Sequence, residues 1–360
     1  MCAQHNLGVS VLVPVYNVER YLPQCLDSLV SQTMQDIEFI CLDDGSTDSC
    51  GSMLDDYAAR DPRFVVVHKS NSGYGATMNE GLRRARGTYI GILESDDWAN
   101  PDCFESLYAL AEAYGFCDIV KANYYQFWED GEVFVENFAE SLCGRVLAPR
   151  GEDGRSVVST VPSIWAALYR REFLESNGID FVESPGASYQ DTGFVMKSWI
   201  AAQSIVLTHD AFLHYRVGHA GSSSVSHAKV YCVCDEFASI DAFIKEHPIT
   251  DSVFAKALAI KRYVTYRWNL GRLGWKDKRE FLKATSGELA RVGKEVGWDY
   301  SLISDVERRE LERWIDDPER LYLDMRISSI RKEGSSLGAL PYRLWRKAHV
   351  VWRKAHRPKK

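Results

Sequence analysis

The chain has 360 residues, of which 46% are hydrophobic and 26% are charged, and its formal net charge at pH 7 is −7. This length allows about two domains, and the composition is that of a globular protein rather than a disordered or fibrous one. The chain has no apolar run long enough for a transmembrane helix, residues 1–6 do not resemble a signal peptide, and the nine scattered cysteines indicate reduced thiols in a cytosol.

The first hundred residues predict strands alternating with helices. Short apolar runs at 9–13, 37–42, 64–67 and 89–93 are typical of buried strands. Between them, residues 18–32, 48–60 and 73–86 have helical spacing or a capping pair before them. This βαβαβαβ order predicts an α/β fold, in which a mostly parallel sheet carries helices on both faces.

The pattern changes twice after residue 116. Residues 117–138 predict extended strands joined by a turn, 141–160 predict a loop, 190–203 a helix and 204–216 a further strand. From about residue 226 the pattern is helical. We therefore predict three parts: an α/β domain at 1–225, a helical C-terminal region at 226–340, and a basic tail helix at 341–360.

Acidic side chains follow the predicted strands at their carboxyl ends. Segment 94–97 carries three carboxylates directly after the strand at 89–93, and Asp43 and Asp44 lie at the end of the strand at 37–42. These ends share one edge of a parallel sheet, where such folds bind ligands. Clustered carboxylates repel each other and are costly to desolvate, and a divalent cation removes both problems. The sequence therefore predicts a Mg²⁺ or Mn²⁺ site that holds a phosphorylated substrate.

Four motifs in residues 9–102 resemble those of glycosyltransferase family 2 in their order and spacing. They begin at Val13, Asp43, Asn71 and Glu94. The resemblance implies a GT-A fold, which is Rossmann-like, and a nucleotide-activated sugar as the donor. In this family an aspartate is usual where Glu94 stands.

The resemblance implies that a UDP-sugar binds at these motifs together with Mn²⁺ or Mg²⁺. Tyr16 offers a flat face for the base, and Asp44 offers an acceptor for a uracil imide N–H. The alternatives are a core tyrosine and an acid that caps a turn or helix. Asp96 is the predicted metal ligand. The other predicted donor-binding residues are Pro14, Asn71, Gly73, Glu94, Ser95 and Arg216.

A second region, 188–194, resembles the catalytic segment of the family. Asp191 lies where a helix begins, and we predict that its carboxylate is the general base that deprotonates the acceptor. The alternative is that Asp191 only caps the helix. Gln190 replaces an acid that the family often has, and Ala167 stands where a lysine is frequent.

Three further residues have two possible roles each. Trp165 is a candidate platform for the acceptor sugar or a core tryptophan. His214 is a candidate second metal ligand or a structural histidine. Arg216 is expected to grip the diphosphate or to pair with the acidic edge of the sheet.

The last twenty residues contain a seven-residue repeat, with tryptophans at Trp345 and Trp352, and eight Lys or Arg without any acid. A basic amphipathic helix that carries tryptophans suits an anionic bilayer surface. Docking onto the acidic remainder of the chain is an alternative. Nucleic acid is disfavoured because that remainder is acidic and has no binding motif. We expect a cytoplasmic protein that the tail holds on the inner face of the cell membrane.

Together these features predict a metal-dependent glycosyltransferase. It would move a sugar from a UDP-sugar to a hydroxyl of a glycan or lipid-linked acceptor in polysaccharide biosynthesis of a bacterial envelope. Inversion by a single displacement is implied by the resemblance. Two alternatives stay open: a non-catalytic module that binds nucleotides or glycans, prompted by Glu94, Gln190 and Ala167, and a sugar-phosphate nucleotidyltransferase.

Overall fold

A computed structural model describes residues 7–184, 186–218 and 230–334. In these ranges a ten-stranded sheet is packed against α-helices. The strands are β1 (Val9–Val15), β2 (Ile37–Asp43), β3 (Phe64–His68), β4 (Tyr89–Ile92), β5 (Trp98–Ala99), β6 (Ile119–Trp128), β7 (Gly131–Val135), β8 (Val146–Leu147), β9 (Ala167–Arg170) and β10 (Ile205–Arg216). The helices are α1 (Leu22–Val30), α2 (Cys50–Ala58), α3 (Tyr74–Arg84), α4 (Cys103–Ala113), α5 (Gly151–Val158), α6 (Arg171–Ser176), α7 (Gln190–Ala201), α8 (Cys232–Glu246), α9 (Ser252–Arg272), α10 (Trp275–Glu295), α11 (Asp305–Asp316) and α12 (Pro318–Gly334).

The strand order is β3-β2-β1-β4-β9-β6-β10-β5, with β7 paired to β6 and β8 paired to β10. The first four strands are parallel, and β9 is antiparallel to both of its neighbours, so the whole sheet is mixed. Val15 at the end of β1 pairs with Asp43 at the end of β2. The carboxyl ends of β2, β1 and β4 therefore lie side by side, as the α/β prediction requires.

Two hydrophobic cores lie on opposite faces of the sheet, because successive side chains of a strand point to opposite faces. Val11 and Val13 of β1 belong to the core beneath α1 and α4. Leu12 belongs to the other core, which continues through α3 and α7 to Tyr263 of α9 and Trp314 of α11. The helical C-terminal region thus shares a core with the sheet, and this packing brings α9 close to the sheet edge.

One predicted element is wrong. Residues 141–160 were expected to form a loop, yet α5 lies within them and packs on α9. The prediction failed because α5 has only eight residues, two of them glycine, and buries only Gly154, Val157 and Val158. The close packing on α9 needs glycine, because a Cβ on Gly154 would lie 2.8 Å from a ring carbon of Phe254 in α9 and 2.6 Å from the carbonyl carbon of Pro149.

The predicted domain boundary near residue 225 and the predicted tail helix at 341–360 lie outside the described residues. Among the helices that the structure does describe, none is both long and apolar enough to cross a membrane. The cysteines from Cys25 to Cys234 are all free thiols.

Candidate active site

Two predicted donor-binding residues lie at the carboxyl edge of β1 and β2. Tyr16 follows β1 and exposes 53% of its surface, so it is not a core tyrosine. Asp44 follows β2 and is buried. Its carboxylate accepts hydrogen bonds from the backbone N–H groups of Ser72 (2.9 Å) and Gly73 (3.0 Å) and from the ammonium of Lys69. Asp44 therefore holds the loop between β3 and α3, and these three bonds use three of its roughly four lone-pair sites.

The loops at this edge pack tightly, and glycines make that possible. Gly73 has φ +88°, and a Cβ there would lie 2.7 Å from the carbonyl oxygen of Ser184. Gly45 has φ +74°, and a Cβ there would lie 2.8 Å from the backbone nitrogen of Asn71. Gly73 thus lets the loop around Ser184, which leads to Asp191, pack against the predicted donor edge, and Gly45 lets the backbone at Asn71 pack against the turn after β2. Pro14 lies inside β1, opposite Leu42.

The turn after β4 carries three acids in different environments. Glu94 accepts a hydrogen bond from the hydroxyl of Tyr74 (2.6 Å), and Asp96 is partly exposed. Asp97 is 1% exposed, and its Oδ1 accepts the backbone N–H of Arg216 (2.7 Å). Burial, reinforced by the charges of neighbouring acids, raises the pKa of Glu94 to about 8 and raises that of Asp97 well above its usual range. Ser95 is buried between them.

Asp191 lies in the first turn of α7 and faces the same acids. Its Oδ1 accepts the backbone N–H of Thr192 (2.7 Å), and burial raises its pKa. The charge of Asp191 acts on Glu94, and the hydroxyl of Tyr215 is subject to the charges of Glu94, Asp96, Asp97 and Asp191 together. Tyr74, which donates to Glu94, also donates its backbone N–H to the carbonyl of Gly186 (3.2 Å) in the loop before Asp191. The acids after β4 and Asp191 are therefore within electrostatic reach of one another at one edge of the sheet.

The chemistry of this edge fits a divalent cation. Its donors are carboxylate oxygens, and Asp97 Oδ2 is buried without a hydrogen-bond partner. Within residues 7–184, 186–218 and 230–334, no three His, Cys, Asp or Glu side chains are arranged to hold a metal by themselves. A cation at Asp96 would therefore need further ligands from a bound diphosphate or from water.

The contacts of His214 agree with the alternative that it is a structural histidine. The imidazole is stacked between Trp98 (4.8 Å between centroids) and Tyr125 (4.9 Å). Its Nδ1 lies 2.8 Å from a carboxylate oxygen of Glu132, and its Nε2 lies 2.9 Å from the side-chain oxygen of Asn100. Because both ring nitrogens have partners, a metal bound to His214 would have to displace Glu132 or Asn100, and the role of His214 as a metal ligand stays a prediction.

Arg216 fixes the acidic turn from the end of β10. Its Nε donates to the backbone carbonyl of Asp96 (2.9 Å), and its Nη2 donates to Gln24 (2.6 Å). The guanidinium carbon lies 4.9 Å from the ring centroid of Tyr21 and 5.0 Å from that of Trp98. These contacts hold the turn in place, and a contact with a diphosphate remains a prediction.

The departures from the family pattern have visible consequences. Gln190 is buried, and its amide donates to the hydroxyl of Ser184 (2.9 Å) and to the carbonyl of Gly186 (3.2 Å), so a neutral side chain orders this loop. Ala167 lies opposite Lys121 in the sheet. The ammonium of Lys121 is buried, and burial lowers its pKa to about 7.

Sequence reasoning missed three residues of the site. Tyr74 contacts Glu94, and its position next to the Gly73 motif is the signal that was available. Tyr215 stacks on Trp165 (5.2 Å between centroids), which is half-buried. Lys261 of α9 is 8% exposed and donates to the carbonyl of Thr160. Burial lowers its pKa to about 8, and the charge of Asp191 opposes that shift. No spacing in the sequence connects Lys261 with Asp191.

The fold and this acidic edge define a GT-A domain with a helical C-terminal region. The Glycosyl transferase family 2 model matches residues 10–178. Glycosyltransferase GlyG of Streptococcus pneumoniae is 32% identical over 218 residues, which cover 58% of this chain and 70% of GlyG. The chain belongs to glycosyltransferase family 2, and the predicted family is confirmed.

Two further comparisons, one of sequence and one of structure, agree with a glycosyltransferase of this fold. The uncharacterized glycosyltransferase EpsJ of Bacillus subtilis is 34% identical over 212 residues, which cover 58% of this chain. The chain spans about 60% of the length of the first curated relatives that it matches. The structure of S. aureus TarS residues 1–349 in complex with UDP-GlcNAc matches with a TM-score of 0.72 at 20% identity, over 89% of this chain and 92% of that one. This match confirms the GT-A fold.

Proposed function

We propose that the protein transfers a sugar from a UDP-sugar to a hydroxyl of a glycan or lipid-linked acceptor. The observation that carries the proposal is the acidic edge of the sheet: Glu94, Asp96 and Asp97 follow β4, and Tyr74 links Glu94 (2.6 Å) to the carbonyl of Gly186 (3.2 Å) in the loop that leads to Asp191. Such an edge is where open α/β sheets bind ligands. TarS, whose fold this chain shares, binds UDP-GlcNAc.

The donor is proposed to lie across the ends of β1, β2 and β4. The exposed ring of Tyr16 stacks on the base, and the remaining lone-pair site of Asp44 accepts the uracil imide N–H. The backbone of Asn71 and Gly73 lines the same edge. Asp96 binds Mn²⁺ or Mg²⁺, which when bound neutralises charge on the diphosphate leaving group.

Asp191 is proposed to act as the general base. As the acceptor oxygen bonds to the anomeric carbon, the acceptor proton moves to the carboxylate of Asp191. The bond from the anomeric carbon to the β-phosphate oxygen breaks in the same step, and UDP leaves. Attack from the face opposite the diphosphate inverts the configuration. Burial raises the pKa of Asp191, and a stronger base is better matched to a sugar hydroxyl.

We further propose that the protein works in the cytoplasm at an anionic membrane surface. The basic tail at 341–360 is the first support, from the sequence alone. The second support is a cavity of about 450 Å³ between α10 and α12, which is lined by Lys276, Arg279, Glu280, Lys283, Tyr322 and Arg326. Arg279 and Lys283 pair with Glu319, so Lys276 and Arg326 are the lining cations that we propose to contact the anionic surface.

A donor screen by thermal shift tests the proposed function. UDP-sugars, GDP-sugars and sugar-1-phosphates with UTP are each compared with and without Mn²⁺. We expect stabilisation by UDP and at least one UDP-sugar, and we expect Mn²⁺ to increase it in the wild type and not in Asp96→Asn. Asp102→Asn is the matched control, because Asp102 is an exposed acid close to Asp96 in the chain. If Mn²⁺ raises the Tm of the UDP complex by the same amount in all three proteins, Asp96 does not bind the metal.

A further inference from the structure

Trp268 on α9 is an exposed aromatic residue in the helical C-terminal region. It exposes 51% of its surface, although tryptophan is largely buried in most proteins. Val264, one turn earlier on the same helix, is 39% exposed. An indole face that is open to solvent offers a large, rigid apolar contact to a ligand at little entropic cost.

α9 contacts Tyr189, which lies two residues before Asp191, the predicted base. The Tyr189 ring lies edge-on to the Trp268 ring, 5.6 Å between centroids. The Tyr189 hydroxyl donates to the side-chain oxygen of Asn269 (2.8 Å) and accepts from Arg272 (3.3 Å). The guanidinium carbon of Arg272 lies 4.5 Å from the Trp268 centroid. Tyr189, Trp268 and Arg272 therefore form one continuous wall.

This wall lies beside the predicted general base. Tyr189 has φ +61°, a left-handed conformation that costs a non-glycine residue about 1–2 kcal/mol. α7 starts at the next residue, and Asp191 follows. Two residues span less than ~8 Å, so the Cα atoms of Tyr189 and Asp191 are near each other, and the charge of Asp191 acts on the Tyr189 hydroxyl. Strained backbone of this kind is common where a functional group must be placed.

We propose that Trp268, Tyr189 and Arg272 form a subsite for a sugar ring of the acceptor. The subsite rests on the proposed function, because a hydroxyl held at Asp191 requires the rest of the acceptor to lie nearby. The open face of Trp268 packs against the C–H face of the ring. The Arg272 guanidinium donates hydrogen bonds to ring hydroxyls or to a carboxylate or phosphate on the glycan. The helical region thereby takes part in acceptor recognition.

Trp165 is less suited to this role. It is half-buried, with Tyr215 stacked 5.2 Å away at 13° and the ring of Tyr124 edge-on at 4.6 Å. Trp268 has an Arg272 guanidinium and the edge of Tyr189 as its neighbours, and half of its surface stays open. Trp268 of α9 is therefore a better candidate for the acceptor platform than Trp165.

Binding to an array of neutral and acidic bacterial oligosaccharides tests the subsite on the full-length protein. We expect Trp268→Ala to weaken binding of the glycans that the wild type binds by at least ~10-fold, on the scale of one lost aromatic contact. Trp268→Phe keeps a flat ring and should retain part of the binding. Val264→Ala is the matched control, since it removes exposed apolar surface one turn away, and it should bind like the wild type.

Calorimetric titration with UDP separates this proposal from the proposed function. All three variants should bind UDP like the wild type, because the donor edge lies elsewhere. Absent UDP binding in the wild type would count against the proposed function only. Unchanged glycan binding by Trp268→Ala, equal losses in Val264→Ala, or no glycan bound by the wild type would each overturn the subsite. Thermal denaturation checks that each variant folds. If Trp268→Ala does not fold, the partial loss of glycan binding expected for Trp268→Phe is the test.

Discussion

Replacing Lys261 by methionine probes the contact between the helical region and the proposed base. The ammonium of Lys261 is buried, donates to the carbonyl of Thr160, and lies within the electrostatic reach of Asp191. Methionine has a similar length without the charge. The substitution should therefore change two quantities, the pH dependence of stability and the pKa of Asp191.

The change in stability follows from the pKa of Lys261, which burial lowers from 10.5 to about 8. The unfolded chain holds this proton more tightly than the folded protein, so stability rises with pH between these values. Burying the lysine costs ~3 kcal/mol at pH 7 and ~1 kcal/mol at pH 9.5. The lost hydrogen bond to Thr160 costs about 1–3 kcal/mol at either pH. We therefore expect the stability of Lys261→Met relative to the wild type to fall by ~2 kcal/mol from pH 7 to pH 9.5.

Urea denaturation at the two pH values measures this difference. Lys256→Met on the exposed side of α9 is the control, and its effect should be the same at both pH values. The positive charge of Lys261 also lowers the pKa of Asp191. Its loss should move the acid limb of the kcat/KM profile to higher pH. An effect on stability that does not depend on pH, together with an unmoved acid limb, would refute the assigned environment of Lys261.

Three more predictions follow from the site and the tail. Asp191→Asn should spare UDP affinity in calorimetry and lower turnover by at least ~10²-fold, and near-normal turnover would return Asp191 to a capping role. Asn79→Ala should lower the urea midpoint by the equivalent of about 2–4 kcal/mol, because Asn79 exchanges two 2.9 Å hydrogen bonds with the backbone of Phe181; a change under ~1 kcal/mol would show that these bonds contribute little. Removal of residues 341–360 should release the protein from phosphatidylglycerol vesicles in sedimentation, and equal sedimentation of both forms would contradict the membrane proposal.

The first half of the fold could be predicted because its signals are local. The apolar runs that became β1 to β4 are each bounded by turn residues, and their observed ends lie within about two residues of the predicted ones. The acidic edge followed from strand order, since parallel strands place their carboxyl ends together. The short helix α5 was missed because its stability comes from packing on α9, and sequence periodicity does not show such a contact.

The parts of the site that sequence reasoning missed depend on contacts between distant residues. Lys261 lies seventy positions from Asp191 in the chain, and only the packing of α9 on the sheet core brings it near. His214 was considered as a metal ligand because some members of the family place a metal-binding histidine in this region. Its partners Glu132 and Asn100 come from other elements, and they occupy both ring nitrogens. The sequence shows that His214 and Lys261 can bind a metal or carry a charge, but it does not show which residues contact them in the folded protein.

The most direct test of the central claim is the position of Mn²⁺ in crystals grown with UDP, located by anomalous scattering at the manganese absorption edge. We expect a single strong peak within coordination distance of an Asp96 carboxylate oxygen and of the diphosphate, with the uracil beside Tyr16. UDP bound at another place, or manganese with no contact to Asp96, would contradict it.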